Sequence, residues 1–128
     1  MDKTEIVQYW LDTANNDYKT MLNLYESKDY NWSLFIGHLV IEKLLKALYV
    51  KNIDINVPRI HDLLRLAEKS GLPIDDDKKE LFDIITTFNL NTRYPDYKQS
   101  FYNKCTYEFT TEYIEKIKEL RLWLLSLL

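Results

Sequence analysis

The sequence predicts an all-α fold, and three observations carry that prediction. Only 2 Gly and 3 Pro occur in 128 residues, so few positions break a helix or supply a tight turn. Apolar side chains recur at helical spacing along several long stretches. The composition, 46% hydrophobic and 29% charged, is that of a globular chain with a real core. The length suits one domain spanning residues 1–128, and no internal repeat or low-complexity tract marks a second.

The first helix is expected from Asp2 to Glu26, where Ile6, Tyr9, Trp10, Thr13, Tyr18, Met21, Leu22 and Tyr25 share a face. Asp2 or Thr4 supplies its N-terminal cap, and Ser27-Lys28-Asp29 forms the turn that follows. The second helix is expected from Asn31 to Lys51. It is apolar on nearly every side (Leu34, Phe35, Ile36, Leu39, Val40, Ile41, Leu44, Leu45, Leu48), which places it in the middle of an assembly. A partner subunit is expected to cover one of its sides.

A connection runs to Ile60, with Pro58 disfavouring helix at Val57. A short third helix follows from His61 to Lys69 and is closed by Gly71. Asp75-Asp76-Asp77 caps a fourth helix that carries Leu81, Ile84, Ile85 and Phe88 and ends near Asn91. From Thr92 to Lys104 a loop is expected. The last helix is expected from Tyr107 to Leu127, burying Tyr113, Ile114, Ile117, Leu120, Leu124 and Leu127.

Several function classes are disfavoured. The net charge of −3, from 17 basic and 20 acidic residues, lacks the broad basic excess that drives generic nucleic-acid binding, though a local basic site stays open. With Cys105 alone, and His38 and His61 as the only histidines, neither a disulfide nor a structural zinc site is expected. No Gly-rich phosphate loop, Gly-x-Ser-x-Gly elbow or His-Glu-x-x-His helix is present. No cofactor is expected. The N-terminus lacks a signal-peptide pattern, and no stretch reaches about 18 uncharged apolar residues. The expected location is cytoplasmic.

Three groups of residues remain as candidates for chemistry. His38, Glu42 and Lys46 stand at i, i+4 and i+8, on one stripe of the greasy second helix. Such a stripe is costly unless paired or solvated. Either Glu42 pairs with Lys46 while His38 is hydrogen-bonded in the core or interface, or His38 faces a reacting group with Glu42 orienting it. Arg93 is the second candidate, since a guanidinium forks onto phosphate oxygens; the alternatives are a salt bridge to Asp96 or capping of helix carbonyls. Third, Tyr94, Tyr97, Phe101, Tyr102 and Tyr107 cluster around Arg93, as base-stacking rings or as interface anchors. His61 is expected to cap or pack at the surface, and Cys105 to be inert.

Three segments, in order, resemble the HEPN family: His38-Leu-Val-Ile-Glu42-Lys43-Leu-Leu-Lys46-Ala47-Leu48, then His61-Asp62-Leu63-Leu64, then Asn91-Thr92-Arg93-Tyr94-Pro95-Asp96. The resemblance implies an up-and-down antiparallel bundle of four long helices plus one short helix that forms homodimers. It also implies a minimal nucleotidyltransferase partner in a toxin–antitoxin pair, and RNA or a nucleotide as ligand. Many members are proposed metal-independent endoribonucleases using an Arg and a His four to six residues later; here those positions are Tyr97, Lys98 and Gln99. The expected catalytic set is Arg93, which the resemblance implies, with His38 from the stripe of the second helix supplying the missing imidazole and Glu42 orienting it. Lys46, Tyr94, Asp96, Tyr97 and Tyr102 are the expected binding set, with Tyr97 or Tyr102 as a target for nucleotide attachment. The alternative is a non-catalytic nucleotide- or partner-binding module of the same fold.

Overall fold

The computed structural model describes residues 2–128, so the domain expected over residues 1–128 is seen from its second residue on. Six helices follow one another: α1 (Lys3–Glu26), α2 (Tyr30–Asn52), α3 (Leu63–Lys69), α4 (Asp76–Arg93), α5 (Pro95–Lys104) and α6 (Tyr107–Ser126). No strand occurs among the described residues.

Local chemistry sets most of the boundaries. Asp2 accepts the Glu5 amide at 2.8 Å, Asp62 the Arg65 amide at 3.2 Å, Asp75 the Lys78 amide at 2.8 Å and Thr106 the Phe109 amide at 3.2 Å. Each thereby satisfies an N–H that the helix geometry orphans. The acidic triplet divides as expected, with Asp75 at the cap and Asp76 and Asp77 in the first turn of α4, where the helix dipole favours them. Gly71, just past α3, has φ +74°, a left-handed conformation that costs glycine no Cβ clash.

The stretch from Pro95 to Lys104 is helical, where a loop was expected. Its polar surface hides the reason. Pro95 occupies the first helical position, where its missing N–H is no loss, and Asp96 lies in the first turn. Phe101 is the one buried residue of α5, and its ring lies 5.6 Å from that of Phe88 on α4. One anchor gives no visible periodicity.

α2 is the central rod. Leu34, Val40, Ile41, Leu44, Leu45, Ala47 and Leu48 have no exposed surface, each large one contributing about 1.5–3 kcal/mol of burial. The other helices of the chain provide most of this cover: Met21 from α1, Leu63 and Leu66 from α3, Phe82 and Ile85 from α4, and Ile114 and Ile117 from α6 all join the same core. A side chain at Gly37 would meet Ile117 Cδ1 at 2.7 Å and Met21 Sδ at 3.2 Å, so this glycine lets α2 approach its neighbours. What stays uncovered on α2 is a narrower stripe: Trp32 is exposed, and Phe35, Leu39, Lys43 and Lys46 are half-buried. No helix among the described residues is long and apolar enough to cross a membrane.

Candidate functional site

The polar stripe of α2 opens towards the segment that leads into α3. Asp62 caps α3, and the Leu63 amide donates to Thr86 Oγ1 on α4 at 3.1 Å. These two bonds anchor the start of α3, and His61 just before it reaches the stripe of α2 with both its carbonyl and its ring.

Glu42 is 4% exposed. Its Oε2 accepts Lys46 Nζ at 3.1 Å and its Oε1 accepts His61 Nδ1–H at 2.7 Å. Both carboxylate oxygens are thus engaged by charge-assisted donors, which is what makes a buried carboxylate tolerable. Lys46 in turn sits 5.2 Å from the centroid of the Trp10 ring on α1, a cation–π contact. The His61 side chain is 57% exposed. With Nδ1–H given to Glu42, its Nε2 is an acceptor in the neutral ring.

His38 has no exposed surface. Its Nε2 meets the His61 carbonyl oxygen at 2.9 Å; a carbonyl only accepts, so Nε2 carries the proton and Nδ1 is an acceptor. Nδ1 faces Asn89 Nδ2–H of α4 at 3.4 Å, and Asn89 Oδ1 accepts Arg93 Nη1–H at 3.1 Å. Arg93 closes α4 and lies 5.9 Å from the Tyr94 ring centroid.

The expected catalytic residues Arg93, His38 and Glu42 therefore belong to one polar chain, which runs Lys46, Glu42, His61, His38, Asn89, Arg93. Two of its members, His61 and Asn89, were not in the expected set. His61 was expected only to cap or pack; the cap is its neighbour Asp62, and the carboxylate that holds His61 is 19 residues away in sequence. Asn89 stands one helical turn before Arg93 and carries no motif of its own. Arg93 forms no ion pair with Asp96 among the described residues. Of the expected binding residues, Lys46 lies in the chain. Tyr94, Tyr97 and Tyr102 are 48%, 52% and 60% exposed; Tyr94 flanks Arg93, Tyr102 lines a cleft at the start of α2, and Asp96 is exposed in the first turn of α5.

Burial holds the His38 pKa below its ordinary 6.5, against the pull of the His61 carbonyl and of the Glu42 charge, with His61 and Lys46 also lowering it. The native ring prefers to stay neutral, so the unfolded chain binds the proton more readily. Its contribution to stability is complete above about 6.5 and is lost as pH falls below that value towards the folded pKa. The difference in urea midpoint between the wild type and His38→Gln is accordingly expected to shrink as pH is lowered from 7.5 to 5.5. A constant difference would mean that His38 does not titrate in this range. Cys105 is buried, and burial pushes its thiol up to about 12, so it stays protonated and unreactive at neutral pH. No group of three or more His, Cys, Asp or Glu side chains gathers among the described residues in a way that could hold a metal ion.

Comparison with known proteins bears on this geometry. The model of the HEPN domain family matches residues 7–127. The solved structure of TT1696 from Thermus thermophilus is similar, with a TM-score of 0.80 at 20% identity over 95% of this chain and 98% of that one. At that identity the likeness speaks for the fold alone. No curated protein sequence matches. A family match over nearly the whole length, on a fold shared with a solved structure, leads to one conclusion: the chain belongs to the HEPN domain family.

Proposed function

We propose that this chain acts on RNA as the toxin-type subunit of a HEPN/nucleotidyltransferase pair, and that His61 supplies the imidazole absent after Arg93. The observation that carries the reading is the His61–Glu42 pair: an accessible ring whose Nδ1–H is held at 2.7 Å by a buried carboxylate. That arrangement fixes the tautomer and leaves Nε2 free to accept a proton from a substrate. In the cleavage step Nε2 removes the proton of a ribose 2′-hydroxyl, and O2′ attacks the adjacent phosphorus. The bond to O5′ breaks, and the leaving O5′ takes back a proton from the imidazolium. Arg93 stabilises the charge that builds on the phosphoryl oxygens. His38 is a positioning residue, linking the His61 carbonyl to the Asn89 amide that holds Arg93.

His61→Gln is expected to lower cleavage of single-stranded RNA by roughly 10²- to 10⁴-fold, the usual worth of a general base, while leaving RNA affinity near that of the wild type. Cleavage unchanged by this substitution would remove His61 from the mechanism. Expression of the chain without its nucleotidyltransferase partner is expected to arrest growth. Mass spectrometry after co-expression is expected to find nucleotide attached to Tyr97 or Tyr102, whose rings are accessible.

The homodimer forms through the uncovered stripe of α2. Trp32 meets Phe35 edge-on with centroids 6.0 Å apart and exposes 42% of its surface, as an aromatic interface anchor does. A second reading, a non-catalytic module that binds a nucleotide or docks the partner enzyme, needs only Lys46, Arg93 and the exposed tyrosines. The cationic and aromatic surface favours it, and tight nucleotide binding without cleavage or growth arrest would select it.

A further inference from the structure

We propose that the groove between α4 and α6 is a docking site for a basic amphipathic helix of a partner protein. It rests on no part of the catalytic reading. The polar chain meets α4 at Asn89, which faces His38 of α2, whereas the groove opens where α4 faces α6.

Three adjoining clefts form the groove. One, of about 360 Å³, has Glu80, Leu81, Ile84 and Tyr113 on its walls. It shares Glu80, Ile84 and Tyr113 with a cleft of about 570 Å³ that continues past Thr87 and Asn91 to Phe109. In the other direction it shares Asp77 and Leu81 with a cleft of about 220 Å³ that ends at Trp123. From Asp77 to Asn91 the line runs about 21 Å along α4, or about four turns. Its floor is apolar and incompletely covered: Leu81, Ile84, Phe109 and Trp123 are only half-buried. Phe88 closes the floor at one end, with its ring 6.2 Å from Phe109 and 5.4 Å from Tyr113. A long apolar seam between two helices suits the apolar face of a third, presented at i, i+3, i+4 and i+7.

The charges on the rim select the occupant. Asp77, Glu80, Asp83 and Glu119 line the groove and are exposed, and none takes part in an ion pair among the described residues. Two of the ammonium groups beside them are already neutralised. Lys78 pairs with Asp75 at 3.3 Å and lies 4.6 Å from the Trp123 centroid. Lys116 pairs with Glu112 at 3.0 Å and lies 4.9 Å from the Tyr113 centroid. Lys104, at the far end, lies 5.3 Å from the Phe109 centroid and is the one lining cation without an ion pair among the described residues. The uncommitted charge is therefore mainly carboxylate, which repels nucleic-acid phosphates and anionic lipid. A second copy docked here would bring the same carboxylates against these, and like charges oppose that contact. A helix whose apolar face is flanked by Lys or Arg satisfies both the floor and the rim.

The probe is a synthetic helix of about 18 residues, long enough to be helical by itself, with Leu along one face and Lys elsewhere. A second peptide carries Glu in place of Lys. Titration of the whole protein with the Lys peptide is expected to give saturable amide chemical shifts at Leu81, Ile84, Phe109 and Trp123, and the Glu peptide to bind at least about tenfold more weakly. Glu80→Gln combined with Asp83→Asn removes two exposed carboxylates, and is expected to weaken the Lys peptide about three- to tenfold. Asp54→Asn combined with Glu68→Gln removes the same charge from exposed positions outside the groove, and is expected to leave the affinity unchanged. The proposal is overturned if the Lys peptide gives no saturable shifts or shifts residues outside the groove. Equal binding of the two peptides, or equal weakening by the two double substitutions, overturns it too. Groove shifts that grow with protein concentration alone would assign the seam to a second copy and so also overturn it.

Discussion

Arg93→Ala is expected to weaken binding of single-stranded RNA by roughly 10- to 100-fold, since hydrogen bonds from a charged group are worth about 1.5–3 kcal/mol. Arg93 is exposed, and its one hydrogen-bond partner among the described residues is Asn89, reached through Nη1 alone. The rest of the fork faces outward, beside the ring of Tyr94. Stability is expected to change by no more than about 0.5 kcal/mol, the usual scale for a surface substitution. Arg93→Lys keeps the charge but not the planar fork, and is expected to recover only part of the affinity. Fluorescence anisotropy over a salt series checks all of this. Loss of one phosphate contact also lowers the salt slope by about one. RNA affinity equal to that of the wild type in Arg93→Ala would remove this residue from the binding surface.

Phe88→Ala is expected to cost about 3–5 kcal/mol in urea unfolding, the range for deleting a buried phenyl ring. Phe88 is 1% exposed. Its ring stands 5.6 Å from Phe101, 6.2 Å from Phe109 and 5.4 Å from Tyr113, so one cavity would loosen α4, α5 and α6 together. Because Phe101 is the only buried residue of α5, that helix is expected to lose hydrogen-exchange protection before the rest of the bundle opens. The Arg93 turn is joined to α5 through Tyr94 and Pro95. RNA affinity is therefore expected to fall as well, at denaturant concentrations far below the midpoint. A loss under about 1 kcal/mol would show that the ring cluster repacks around the gap.

These two residues were unequally legible in the sequence. Arg93 stands in a motif, Arg-Tyr-Pro, that could be read on its own. Phe88 was visible as one apolar position of a fourth helix, but its partner Phe101 lay in a stretch of polar and aromatic residues with no period. A helix docked by a single side chain leaves no repeating signal, and α5 was missed for that reason.

Local sequence chemistry was enough for the helical class, for two of the N-terminal caps, Asp2 and Asp75, and for the burial of α2. Those depend on backbone chemistry and on spacings of three and four residues, which are local. It also determined that the stripe of His38, Glu42 and Lys46 needed partners, because a charge on an apolar rod is costly without them. Which partners it found was a matter for the tertiary structure alone. His61 reaches Glu42, and Asn89 bridges His38 to Arg93, only because α3 and α4 pack against α2 and bring together residues 19 and 51 positions apart. Pairings at that range follow from where helices settle on one another.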